Sequence, residues 1–379
     1  MWLRGFYWNL YAKEIEQMSD IPGMSPSQLT ADLEERLLAP IKFCRPLLMT
    51  GIPGIGKTAV PRQVCDRLGV NFWPLRPIQH ESVEYTGLPT IDSDGKARWA
   101  PFAELLPTDP DWEGVIFVDE VTQLDMSGQK IVASLLDKEG VAGRRIPAGA
   151  RFLLAGNRQE DRAGAGRLIS IIESRCVQKE LVFSLEDWQR WAIDDGIEQM
   201  VRSFGDFKGA AFVSFDPARK LNPLGRTWHA VSDELKCHPN ASASKEDPVI
   251  LSSVQGLVGP GMAAEFMAFR EHYHMLHNVV DQVFDTPSIV DIGTDLSVQH
   301  ALIGAVTQRM KERNGSMTDV QLGNVVTFGK KCLPKSLQAL LCLNCVASGC
   351  QRFIQVPESL AWCQENRATL NAWRKGVVN

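Results

Sequence analysis

Short, uninterrupted apolar runs punctuate the first half of the chain. Leu47-Leu48-Met49, Val115-Ile-Phe-Val118 and Phe152-Leu-Leu-Ala155 contain no polar position at all. A run of that length and purity reads as a strand buried on both faces, the signature of a parallel sheet. Val70 to Leu75 and Val177 to Phe183 are two further strand candidates. Between them lie stretches with helical spacing, Thr58 to Leu68 and Gln129 to Lys138. Strands alternating with helices predict an α/β fold, a parallel sheet flanked by helices. Asp92-Ser-Asp-Gly95 is a turn signal inside the polar stretch His80 to Trp99, and it predicts a small hairpin. Gly140 to Gly149 predicts another.

The pattern changes at Ser184. Ser184-Leu-Glu-Asp-Trp188 opens a helix whose Trp188, Trp191 and Ile193 form a core-facing stripe. Further helices run from Ala263 to Met310 and from Asp319 onward, with a polar loop at 236–250. Upstream, Ser25-Pro26-Ser27-Gln28 starts a helix with Leu29, Leu33, Leu37 and Leu38 on its apolar face. Residues 1–24 do not share the patterning of the rest of the chain. One reading starts the functional chain at Met24, after a translated leader; the other is an ordered N-terminal helix. The expected organisation is thus an extension over 1–24, an αβα domain over 25–183, a helical lid over 184–310 and a C-terminal helical region over 311–379.

Composition narrows the class. The 379 residues are 44% hydrophobic and 22% charged, enough apolar matter for a core and too polar for a membrane protein. The aromatic N-terminus is broken by Arg4, Lys13 and Glu14, so it is not a signal peptide, and the cytoplasm is the expected compartment. A net charge of −5 without a basic stripe argues against an obligate nucleic-acid binder. Nine cysteines at irregular spacing read as reduced thiols. Cys332, Cys342, Cys345 and Cys350 cluster in sequence, either as packing residues of a small-residue helix or as a zinc site lacking its second clear pair. Glu271, His272, His274 and His277 form a second cluster; on a helix His272 points away from the other two histidines, and a polar surface is the favoured reading.

The chemistry begins at Gly51-Ile-Pro-Gly-Ile-Gly-Lys-Thr58, which fits the phosphate-binding P-loop. It follows an apolar strand and opens a helix, the context the motif needs. Gly51, Pro53, Gly54, Ile55, Gly56, Lys57, Thr58 and Ala59 are the expected nucleotide-binding residues. Glycines let backbone N–H groups face phosphate oxygens beside a helix N-terminus. Lys57 would reach the β- and γ-phosphates of ATP, and Thr58 would coordinate Mg²⁺. Asp119-Glu120 ends the Val115–Val118 strand in the Walker B position. Asp119 is the second expected Mg²⁺ residue, and Glu120 would activate the attacking water. The next strand ends Ala155-Gly156-Asn157, where an amide could hold the lytic water or the γ-phosphate.

This order, Walker A, Walker B, then Asn157, resembles that of AAA+ ATPases, and specifically the MoxR branch. The resemblance covers nearly everything after Met24, through Leu333-Pro-Lys-Ser-Leu-Gln-Ala-Leu-Leu341. It implies sensor 1 at Asn157, an arginine finger at Arg175 in Ile-Ile-Glu-Ser-Arg-Cys, and sensor 2 at Arg226 in Asn-Pro-Leu-Gly-Arg-Thr-Trp-His. Where relatives carry Asn-Arg-Phe at the finger, this chain has Ser174-Arg175-Cys176, and Gly225 precedes Arg226. Arg158, Arg162 and Arg167 are rival fingers. The resemblance also implies a helix-2 insert at Glu81 to Trp99 and a pre-sensor-1 hairpin at Val141 to Ala150.

The resemblance further implies a ring, a hexamer, that hydrolyses ATP between subunits. Its work would be to remodel or activate a protein client carrying a von Willebrand factor A domain. Rival functions are a nucleic-acid motor or restriction-type subunit, a small-molecule kinase, and a binding module without hydrolysis. The acidic composition, Asn157 with the helical lid, and Glu120 argue against these three in turn.

Overall fold

The computed structural model describes residues 22–79, 84–85, 87–100, 105–137, 140, 145–158, 161, 166–287, 290, 293–313 and 316–371. The chain divides into two compact units between Phe183 and Ser184.

The first unit holds eight strands among its described residues: β1 (Gly23–Met24), β2 (Leu47–Thr50), β3 (Asn71–Leu75), β4 (Leu88–Ile91), β5 (Ala97–Ala100), β6 (Glu113–Val118), β7 (Gly149–Gly156) and β8 (Val177–Leu181). Six of them form one sheet in the order β1-β8-β2-β7-β6-β3, and every pairing in it is parallel. The apolar runs behave as their composition requires. Leu47, Met49, Val115, Phe117, Leu153 and Ala155 enter one core, while Leu48, Ile116, Val118, Phe152 and Leu154 enter the other. Alternate residues face opposite sides of a strand, so a run with no polar position must be covered twice.

Helices α1 (Pro26–Leu38) and α2 (Ala59–Leu68) cover the first face through Leu29, Leu33, Leu37, Val60 and Val64. Helices α3 (Met126–Leu136) and α4 (Ser170–Arg175) cover the second through Val132, Leu135, Leu136 and Ile172. Helix α1 starts with the reciprocal capping box that Ser25 and Gln28 encode. The α/β class expected of the AAA+ resemblance, a parallel sheet flanked by helices with an all-α region after it, is the one observed.

The Asp92–Gly95 turn joins β4 and β5 as an antiparallel hairpin. Of the second expected hairpin, residues 141–144 lie outside the described residues, and Gly149 is already the first residue of β7. The N-terminal extension lies outside them up to residue 21.

Among its described residues the second unit is helical: α5 (Leu185–Asp194), α6 (Gln199–Lys208), α7 (Gly225–Cys237), α8 (Pro248–Val258), α9 (Pro260–Met275), α10 (His277–Asp285), α11 (Leu296–Glu312), α12 (Asp319–Cys332), α13 (Lys335–Ala347) and α14 (Pro357–Glu365). Ser184 caps α5 by accepting from the Asp187 N–H. Its core is aromatic. Phe212 stacks on the fully buried Trp228 at 4.7 Å, and Phe204 meets Trp228, Phe266 and Phe269 at 5.2–5.4 Å. Trp188 joins them against Phe212. Among the described residues no helix is long and apolar enough to cross a membrane, and no three His, Cys, Asp or Glu side chains are arranged to hold a metal ion.

Candidate functional site

In open parallel sheets, ligands bind beyond the carboxyl ends of the strands. Three such ends meet here. The loop after β2 is the P-loop, β6 runs into Asp119 and Glu120, and β7 runs into Asn157. Because β7 lies between β2 and β6, all three sets of side chains are within reach of one another.

The P-loop curls back on itself. Gly54 and Gly56 have φ of 73° and 101°, and a side chain would be strained at either. The turn brings the Lys57 ammonium over the loop's own start. It donates to the carbonyls of Gly51 at 2.8 Å and Ile52 at 2.9 Å, and to Asn157 Oδ1 at 3.0 Å. Hydrogen bonds from a charged donor are each worth about 1.5–3 kcal/mol, so this lysine is firmly held. Ile55 is buried in the sheet core and anchors the loop, while Ala59 begins α2 and is exposed. Pro53, two residues before Ile55, is half-buried.

The Thr58 hydroxyl donates to Asp119 Oδ2 at 3.1 Å. Asp119 Oδ1 accepts the Glu120 N–H at 3.0 Å, and the Asp119 N–H reaches the Leu75 carbonyl at 2.9 Å. Asp119 is therefore tied to β3 through its backbone, and through its carboxylate to the P-loop helix and to its own successor. Glu120 adopts φ 55° and ψ 32°, the one non-glycine residue with positive φ among those described. A left-handed glutamate costs about 1–3 kcal/mol, which the surrounding fold sustains. That conformation turns the chain sharply after Asp119 and leaves Glu120 exposed.

Asn157 is positioned by a residue that sequence reasoning missed. Its N–H donates to Thr122 Oγ1 at 3.0 Å. Gly156 makes the approach possible, since a Cβ there would lie 2.5 Å from Thr122 Cγ2. Thr122 sits two residues beyond Glu120 in a short 3-10 turn, and nothing in its sequence context distinguishes it.

The arginines sort by their partners. Arg158 binds Asp161 through two nitrogens, at 3.1 and 2.8 Å, and Glu180 of β8 through a third at 2.9 Å. Those carboxylates, Asp161 foremost, hold its guanidinium above its ordinary range. Arg158 is thus spent within its own chain. Arg175, at the end of α4, pairs with Asp137 just past α3 at 2.5 Å and remains half-exposed. Beside it, burial pushes the Cys176 thiol up to about 11. Arg167 is exposed, and Arg162 lies outside the described residues. Arg226 stands exposed in the first turn of α7, in the helical unit. The structure brings together Lys57, Thr58, Asp119 and Asn157 by direct contact. Arg175 does not join that cluster through any contact among the described residues, and Arg226 belongs to the other unit.

The donor set suits a small, hard cation shared with phosphate. One carboxylate and one hydroxyl, 3.1 Å apart, supply oxygen ligands and leave the remaining positions to phosphate and water, as Mg²⁺ prefers.

No protein-family model matches the chain, and no curated protein matches it. Among solved structures, it is similar to NtrX from Brucella abortus, with 15% identity over 97% of this chain and 74% of that one, at a TM-score of 0.31. It is also similar to a RuvB mutant from Thermotoga maritima, with 14% identity over 78% of this chain and 88% of that one, at a TM-score of 0.34. Likenesses that remote carry no argument about activity.

Proposed function

We propose that this chain is an AAA+ ATPase of the MoxR type. The observation that carries the reading is the meeting of Lys57 with Asn157 and of Thr58 with Asp119 at three adjacent strand ends. Lys57 and the loop N–H groups bind the terminal phosphates of ATP. Thr58 and Asp119 hold Mg²⁺, which when bound neutralises charge developing on the phosphoryl oxygens. Glu120 orients and deprotonates the attacking water, and Asn157 fixes its position.

The site supplies one cation, Lys57, from within the contacting cluster. A second, Arg175, comes from the neighbouring subunit of a ring, with six subunits as the expected number. Such fingers are worth roughly a thousandfold or more in rate. Arg226 reports the presence of the γ-phosphate to the helical unit, and the resulting rigid-body motion works on a protein client. A von Willebrand factor A domain partner is the client class the resemblance supports. The cytoplasm is the proposed compartment.

Phosphate release from ATP, measured with and without DNA while assembly is followed by light scattering, tests the reading. DNA-independent hydrolysis that rises with assembly supports it. Hydrolysis that requires DNA would replace it with a nucleic-acid motor.

A further inference from the structure

Four thiols gather at the C-terminal helices. Cys342 and Cys345 lie one turn apart on α13, Cys350 follows that helix, and Cys363 lies on α14. The sequence cluster of Cys332 with the first three is broken by the fold: the Cys332 thiol faces the Pro287 and Val290 carbonyls instead. Cys363 takes its place. The Cys342 thiol donates to Cys363 Sγ at 3.9 Å, linking residues 21 positions apart.

The two members differ. Cys342 is buried and Cys363 is half-exposed. The hydrogen bond from Cys342 favours the Cys363 thiolate and lowers that thiol below its ordinary range, against the opposing effect of burial. The same bond, with burial, raises Cys342. An accessible thiol inclined to ionise, backed by a buried thiol in contact, is the arrangement in which one sulfur reacts and the other resolves.

We propose that Cys363 and Cys342 form a peroxide-reactive pair that closes to a disulfide between α14 and α13. The Cys363 thiolate attacks one oxygen of hydrogen peroxide, the O–O bond breaks, and hydroxide leaves to become water. Cys363 is then a sulfenic acid. Cys342 loses its proton and attacks the Cys363 sulfur; the S–O bond breaks and a second water leaves. Two thiols have given two electrons, and one peroxide has become two waters. The sulfurs must approach by about 2 Å to bond, within reach of side-chain rotation at both ends. Trp362, beside Cys363, is fully buried and already fixes α14 in place.

The test treats the full chain with graded hydrogen peroxide, blocks remaining thiols with N-ethylmaleimide, and maps tryptic peptides by mass spectrometry. Trypsin cuts after Arg352 and so separates Cys363 from the other three thiols. The expected first product joins the Cys363 peptide to Cys342 and is reversed by dithiothreitol. In Cys342→Ala, dimedone captures the Cys363 sulfenic acid; in Cys363→Ala, both the cross-link and most dimedone labelling are lost. A first disulfide that omits Cys363 would overturn the proposal. So would dimedone labelling of Cys363 no faster than that of the exposed Cys237, a comparison made within the wild-type protein.

Discussion

The Thr58 hydroxyl donates to Asp119 Oδ2 at 3.1 Å, joining residues 61 positions apart. The contact welds the start of the P-loop helix to the end of β6. Asp119→Asn keeps an oxygen that can accept from Thr58 and removes the charge that would hold the cation. Hydrolysis in the variant should fall by about a hundredfold or more, because charge stabilisation of the transferring group is lost. Unfolding temperature should hardly move. Phosphate release across a Mg²⁺ titration, beside a thermal melt, checks both; full turnover at ordinary Mg²⁺ would remove Asp119 from the site.

Lys57 and Arg175 give a paired prediction. Lys57→Ala should weaken ATP binding by about ten- to a hundredfold, the equivalent of one charged hydrogen bond or a little more. Titration with a fluorescent ATP analogue reads this directly. Arg175→Ala should bind ATP normally and fail to turn it over. Mixed with Lys57→Ala subunits, it should regain part of the activity, since each supplies what the other lacks. No recovery at any ratio would exclude Arg175 as the residue given to a neighbour.

Much of the fold, and the placement of the candidate site residues at the strand ends, was legible in the sequence. The unbroken runs at Val115–Val118 and Phe152–Ala155 could only be strands covered on both sides, and they carry Asp119 and Asn157 at their ends. Sequence spacing also placed Lys57 and Thr58 correctly on a loop and a helix start. What it did not reveal were partners brought together by tertiary packing. Thr122 behind Asn157, Asp137 beside Arg175, and Glu180 beside Arg158 carry no local signal, because each acts on a residue distant in the chain. The left-handed backbone at Glu120 was equally hidden, since glutamate has no preference for it. Cys363 carries no sequence signal because its partner lies on another helix.

Backbone strain at Glu120 separates stability from chemistry. Glu120→Gly frees the left-handed conformation and should be at least as stable as the wild type while losing turnover. Glu120→Val places a β-branched residue there and should lose about 1–2 kcal/mol. Urea unfolding of the two variants orders them; equal stabilities would mean that the residue is not strained.

The helical unit carries a pH signature. Burial raises the Asp206 carboxyl to about 7, against the pull of Arg202, and Gln189 donates to it at 3.0 Å. Below the ordinary carboxyl range both folded and unfolded chains hold the proton. From there to about pH 7 the folded chain keeps it while the unfolded chain releases it, so rising pH favours unfolding. His300, which burial holds down to about 4, contributes in the opposite sense up to the ordinary imidazole range. Asp206→Asn isolates the first effect. Relative to wild type, its urea midpoint should rise between about pH 4 and about pH 7 and level off above that. A constant difference would mean that Asp206 is not perturbed.

The most direct measurement is single-turnover hydrolysis by wild type and Glu120→Gln, with ATP binding determined on the same samples. Both proteins should bind ATP with similar affinity, and only the wild type should release phosphate at an appreciable rate. Equal rates of phosphate release from the two would contradict the role given to Glu120 and, with it, the hydrolytic site.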